Sequence, residues 1–197
     1  MLIMSSIVMV FGVAMNYLFW TKDWWHPPTI TGTALGIEDF LTGFGIGGIT
    51  AVIYEELFKK KLSFSKKKHF SLGYAMLFTC IFIIVNIVSF YIMQFSSSIS
   101  WVLSTVIPIL FIYILRPTLI FNSFATGIIL VILGFIGYHI FDIIQPGFLY
   151  SWFNFEKLTG VVIFKVPLED IAWFMTFGMF IGPLYEFLLD VKVKPKN

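Results

Sequence analysis

The stretch FSLGYAMLFTCIFIIVNIVSFYIMQFSSSISWVLSTVIPILFIYIL, Phe70 to Leu115, contains no charged residue. Coiled as one helix at about 1.5 Å per residue it would run to roughly 70 Å, about twice a bilayer. It must therefore cross, turn and cross back, and Ser96-Ser97-Ser98 supplies the polar turn. Working outward, further breaks fall at Thr21 to Leu35, at the lysine cluster Lys59 to Lys68, at Arg116-Pro117, and at Gln145 to Val166. Six helices are expected, roughly 2–20, 37–57, 70–95, 99–115, 118–144 and 167–190. The fold class is an all-α integral membrane bundle, one domain over 1–197.

Composition agrees with that reading. Hydrophobic residues make up 58% of the 197, charged residues 12%, and mean hydropathy is high, which excludes a soluble globular domain. A net charge of +2, with lysines confined to loops, span edges and the tail, implies no nucleic-acid partner. Cys80, the single cysteine, makes no intramolecular disulfide and reads as a small packing residue in mid-span. The apolar N-terminus lacks a basic leader and a small-residue cleavage site, so a retained span is expected there rather than a signal peptide. Lys59, Lys60, Lys61, Lys66, Lys67 and Lys68 share one side with Arg116 and with Lys192, Lys194 and Lys196. By the positive-inside rule this multi-pass protein has both termini cytoplasmic.

A polar pattern occurs twice. Gly36-Ile37-Glu38-Asp39 opens one span and Pro167-Leu168-Glu169-Asp170 opens another, 131 residues later. Each follows a tryptophan-bearing loop (Trp24-Trp25-His26-Pro27-Pro28; Ser151-Trp152-Phe153-Asn154), and sixteen residues after each glutamate stands Tyr54-Glu55 or Tyr185-Glu186. The expected architecture is a parallel internal repeat, repeat one about 1–58 and repeat two about 118–190, linked by two spans at 70–115. In this alignment Gly47 meets Gly178, Trp25 falls near Trp152, and Asn16 falls near Asp142.

Two readings of the acids stand side by side. Acids in a first turn complement exposed helix N–H groups and make an ordinary helix start. Carboxylates crowded at the edge of hydrocarbon are costly, and at least one would keep its proton as a general acid for apolar substrates. The tryptophans serve equally as interfacial anchors or as electron-rich walls around a developing carbocation, at about 0.5–2 kcal/mol per contact. His139 shares a helix face with Asp142, but three histidines are too few to point to a metal, and none is expected. Glu55 and Glu186 oppose the helix dipole and are expected to pair with nearby lysines. Gly43, Gly45, Gly47 and Gly48 suit close helix packing.

A Trp-aromatic loop, Pro-Leu-Glu-Asp opening a span, then Tyr-Glu resembles the small membrane lycopene cyclases of actinobacterial heterodimeric, archaeal fused and fungal bifunctional type. Pro167-Leu168-Glu169-Asp170 is the closer copy; repeat one has Gly36 where that family has proline, and Asn16 where repeat two has Asp142. The resemblance implies a non-redox cyclisation, without cofactor, of an apolar polyene held in the bilayer. Glu169 and Glu38 would be the acids, Asp170 and Asp39 their partners or bases, and Asp142 the acid before the tryptophan loop. Trp25, Trp152, Trp173, Phe174, His139 and Asn16 would line the substrate. Repeat two would be the chemically complete copy. Membrane lipids would be its other partners, and a homo-oligomer is left open.

Alternatives from other classes are a carotenoid end-group hydratase, a small transporter, or a lipid-binding membrane protein. A transporter would carry its polar groups near mid-bilayer, where here polar residues such as Asn86, Thr79 and Asn122 are sparse. Retinal photochemistry is disfavoured, because no lysine lies within a span.

Overall fold

The computed structural model describes residues 1–63 and 71–195. It is mostly helical. Five helices are long and apolar enough to cross a membrane: α1 (Leu2–Asp23), then Leu72–Ile92, Ser97–Leu115, Pro117–Ile144 and Leu168–Leu188. The expected second span is the exception. It forms α2 (Ile37–Thr50), which stops at Ala51-Val52, and a short α3 (Ile53–Leu57). At about 1.5 Å per residue the fourteen residues of α2 reach only about 21 Å. The remaining helices are α4 (Leu72–Ile92), α5 (Ser97–Leu115), α6 (Pro117–Ile144), α7 (Phe148–Trp152) and α8 (Leu168–Leu188).

The serine turn sits where the sequence places it. Ser96 caps α5 by accepting from the Ile99 N–H, and Asp23 at the end of α1 accepts from the Ser97 N–H at 2.8 Å. That carboxylate complements the α5 N-terminus and ties α1 to it. The interval 145–166, expected as loop, also holds α7 and a hairpin of β2 (Val162–Ile163) and β3 (Val166–Pro167). Phe164 and Lys165 turn that hairpin with φ of 46° and 63°, the sign a two-residue type I′ turn requires.

Two helix pairs pack most extensively, α1 with α2 and α6 with α8. Glycine makes both close. A Cβ on Gly47 would lie 2.5 Å from Val8 Cβ, and one on Gly178 would lie 2.7 Å from the Gly127 Cα. Gly43 and Gly48 also face α1, but Gly45 faces open space, so only three of the four expected packing glycines pack. In α8, Pro183 cannot donate to the Met179 carbonyl, and the Ser123 hydroxyl takes that acceptor at 2.6 Å. Cys80 is exposed on α4 rather than packed, a correction to its expected role.

At one end, β1 (Lys60–Ser63) pairs with β4 (Lys192–Pro195), and Arg116 forms an ion pair with Asp190 at 2.5 Å. The lysine loop, the 116 turn and the tail therefore meet on one side. Lys66 to Lys68 and Lys196 lie outside the described residues. At the other end the two tryptophan loops pair antiparallel. Trp25 faces Phe153, the His26 N–H donates to the Trp152 carbonyl, and the Asn154 N–H donates to the Trp24 carbonyl.

Candidate functional site

Along α1, Met4, Val8, Gly12, Asn16 and Trp20 recur every four residues and so share one face. This face forms one wall of a cavity of about 510 Å³ between α1–α2 and α4, α5 and α8. Asp39, Thr42, Gly43 and Ile46 continue the wall on α2, again at helical spacing. From Ile3 to Asn16 the α1 wall spans about 20 Å at 1.5 Å per residue. Ile3, Ile7 and Thr42 are exposed, so the cavity opens sideways toward the surroundings of the bundle.

Its polar end is built from two helix features. α1 widens into a π-turn over Asn16–Trp20, and the Thr21 hydroxyl donates to the Asn16 carbonyl at 3.0 Å. Asn16 is thereby aimed at the first turn of α2, where its amide donates to Asp39 Oδ1 at 2.9 Å. The Gly36 N–H donates to Asp39 Oδ2 at 2.7 Å, and Trp25 Nε1 donates to Asn16 Oδ1 at 3.1 Å. Gly36 suits this corner in two ways. Proline has no N–H to give, and a Cβ there would lie 2.3 Å from the Glu38 carboxyl.

Apolar and aromatic groups make the rest of the lining. Trp20, Trp101 and Trp173 form a triangle with ring centroids 5.5, 5.8 and 6.0 Å apart, and Trp173 stacks on Phe177 at 4.8 Å. Trp101 is fixed by a hydrogen bond from its Nε1 to Thr176 Oγ1 at 3.0 Å. Trp20 Nε1 is buried without a partner. At the far end the lining is Leu184, Tyr185, Leu188 and Leu189 against Ile3 and Met4.

Of the residues offered by the sequence as catalytic or substrate-lining, Asn16, Trp25, Asp39 and Trp173 line this cavity. The other acids do not. Glu38 and Glu169 have matching surroundings: Oε1 accepts one loop N–H, from Ile30 at 2.9 Å and from Thr159 at 2.7 Å, while each Oε2 is buried without a partner. Asp170 accepts from Trp24 Nε1 at 3.3 Å and lies beside the Tyr138 hydroxyl. The adjacent tryptophans Trp24 and Trp25 therefore reach opposite ways, Trp24 directly to Asp170 and Trp25 through Asn16 to Asp39.

Asp142 does not join the acid cluster. It forms an ion pair with Lys165 at 2.5 Å and accepts from the Gly147 N–H, which anchors the turn of the β2–β3 hairpin that leads into Glu169. His139 is exposed, its Nδ1 against the Phe135 carbonyl at 2.8 Å. Trp152 packs on Phe141 and Phe148, and Phe174 fills the space over Gly134 between α6 and α8.

Glu55 and Glu186 correct a second expectation. Neither pairs with a lysine among the described residues. Both are buried and accept from one amide, Asn122 Nδ2, at 3.4 and 3.2 Å, while Thr126 donates to Asn122 Oδ1 at 3.1 Å. Trp20 and Trp101 were missed by the motif reading. The four-residue stripe through Asn16 pointed to Trp20, but nothing local distinguished Trp101 from an ordinary core aromatic.

No group of three or more histidine, cysteine or acidic side chains with metal-site geometry occurs among the described residues. The arrangement suits an elongated apolar ligand with one end at Asp39. No curated protein and no solved structure matches the chain. The family model described as lycopene cyclase matches residues 96–188, the segment that carries Trp101, Glu169, Asp170 and Trp173.

Proposed function

We propose that this protein is a carotenoid end-group cyclase, an isomerase acting within the membrane, and that Asp39 exchanges the proton with the substrate. The observation that carries this reading is the placement of one carboxyl at the end of a long, aromatic-walled cavity. Asp39 itself lies outside the segment matched by the family, so its role rests on this geometry.

The chemistry balances without a redox partner. The Asp39 O–H breaks as a C–H bond forms at the terminal double bond, leaving a tertiary cation. An internal double bond attacks that cation and closes the ring. Loss of an adjacent proton to the carboxylate restores the acid, so the product is an isomer of the substrate. The Asn16 amide and the Gly36 N–H hold the carboxylate that donation leaves. The Trp20, Trp101 and Trp173 faces stabilise the cation, and the apolar lining disfavours its capture by water as an alcohol.

Two further elements belong to the reading. Matched surroundings of Glu38 and Glu169, and reciprocal bonds between the two loops, support a parallel repeat with an axis along the membrane normal. The shared side of the lysine loop and tail supports a cytoplasmic placement of both termini.

Expression in a lycopene-accumulating bacterium tests the reading. Cyclic carotenoids are the expected pigment with the wild-type chain, and Asp39→Asn should reduce their formation at least about a hundredfold, as for loss of a general acid. Glu169→Gln is the decisive comparison. If it abolishes product while Asp39→Asn does not, the second repeat carries the chemistry. Hydroxylated products from the wild-type chain would mark a hydratase instead.

A further inference from the structure

The glycines of this bundle sort by what their missing side chain permits. Gly43, Gly47, Gly48, Gly127, Gly134, Gly178 and Gly182 all lie at helix contacts that a Cβ would crowd. Gly12 does not. A Cβ built there meets nothing within 4 Å, although the residue stands in the middle of α1. A mid-helix glycine is destabilising relative to alanine, and here no packing offsets that cost. Gly45, Gly73 and Gly137 also face open space, but among these four only Gly12 lines the cavity.

Its position there is intermediate. One turn along α1 lies Asn16, with Trp20, Trp25, Asp39 and Trp173 around the acid end. One turn back lies Val8, and beyond it Met4, Leu184, Tyr185 and Leu188 at the distal end. A side chain at position 12 would project from the α1 wall between these two ends of the cavity.

We propose that Gly12 is a specificity-determining residue: it keeps the cavity open between its acid end and its distal end, so that the stem of a long linear polyene runs beside α1 while its end group sits at Asp39. The inference rests on the proposed cyclase reading and adds to it a selection for chain length. It also sets the substrate along α1, with its far end toward Tyr185 and Leu189.

The test uses two probes with the same acyclic end group, lycopene as the long chain and pseudoionone as the short one. Binding to the purified full-length protein is read by quenching of tryptophan fluorescence, and conversion by chromatography of the products. Gly12→Phe should weaken lycopene binding by about tenfold or more, while pseudoionone stays within about twofold of wild type. Gly12→Ala, with its smaller side chain, should weaken lycopene binding less than Gly12→Phe does. Unimpaired pseudoionone binding shows that the variant is folded, and Gly12→Leu gives the same reading if the phenylalanine variant is unstable. The proposal is overturned if Gly12→Phe or Gly12→Leu binds lycopene as wild type does. It is equally overturned if the bulky variant loses both probes in parallel while remaining folded, or if the wild-type chain binds neither. A wild-type chain that binds lycopene but converts neither probe would refute the cyclase reading alone, and the binding data would still decide the role of Gly12.

Discussion

Single residues separate the two copies of the motif. Gly36 gives Asp39 a backbone donor that Pro167 cannot give Asp170, and Asp170 takes the Trp24 indole instead. A departure from the family pattern that looks like decay in the sequence therefore has a structural use. The buried carboxylates at the opposite end show the reverse case. Glu55 and Glu186 share the Asn122 amide, a pairing invisible in sequence because its members are 64 to 67 residues apart. Glu186→Ala leaves Asn122 short of an acceptor and should destabilise the bundle by about 1–3 kcal/mol. Glu186→Gln keeps the acceptor oxygen and should cost less. Thermal unfolding in detergent compares the two; equal and negligible losses would remove the structural role assigned to this cluster.

At the scale of elements, the helices follow from continuous hydrophobicity, and their ends from local chemistry. Ser96 and Asp23 start α5, and Pro167 precedes the first turn of α8. The broken second span was not legible. Val52 takes a φ of −136° and ψ of −10°, outside the helix, although no proline stands there. Which apolar face packs was only partly legible, because a glycine reads the same whether it meets a helix or open space. Gly178→Ala should cost about 1–3 kcal/mol by overpacking α8 on α6. Gly45→Ala should be neutral or slightly stabilising, since it gains helix propensity without a clash. A stability comparison in one detergent checks the pair, and equal effects would contradict the packing assignment.

Across the whole molecule, one end gathers the lysine loop and tail and the other gathers both tryptophan loops. Single cysteines at Thr31 and at Lys61, in a Cys80→Ser background, should react with an impermeant thiol reagent from opposite sides of the membrane. Only the Thr31 position should label in intact cells, and labelling of both would overturn the orientation. The sequence alone determined that this chain is a membrane bundle, because a 46-residue apolar run can be satisfied only by crossing twice. It also determined that tryptophans and paired acids share one level, since spacing along a helix sets depth. Only the tertiary structure decided which acid meets apolar space. Four carboxylates of similar local setting differ in what packs beside them, and Asp39 faces the cavity because a π-turn in α1 and helices distant in sequence leave room there. Depth is a property of one helix; a cavity is the gap between several.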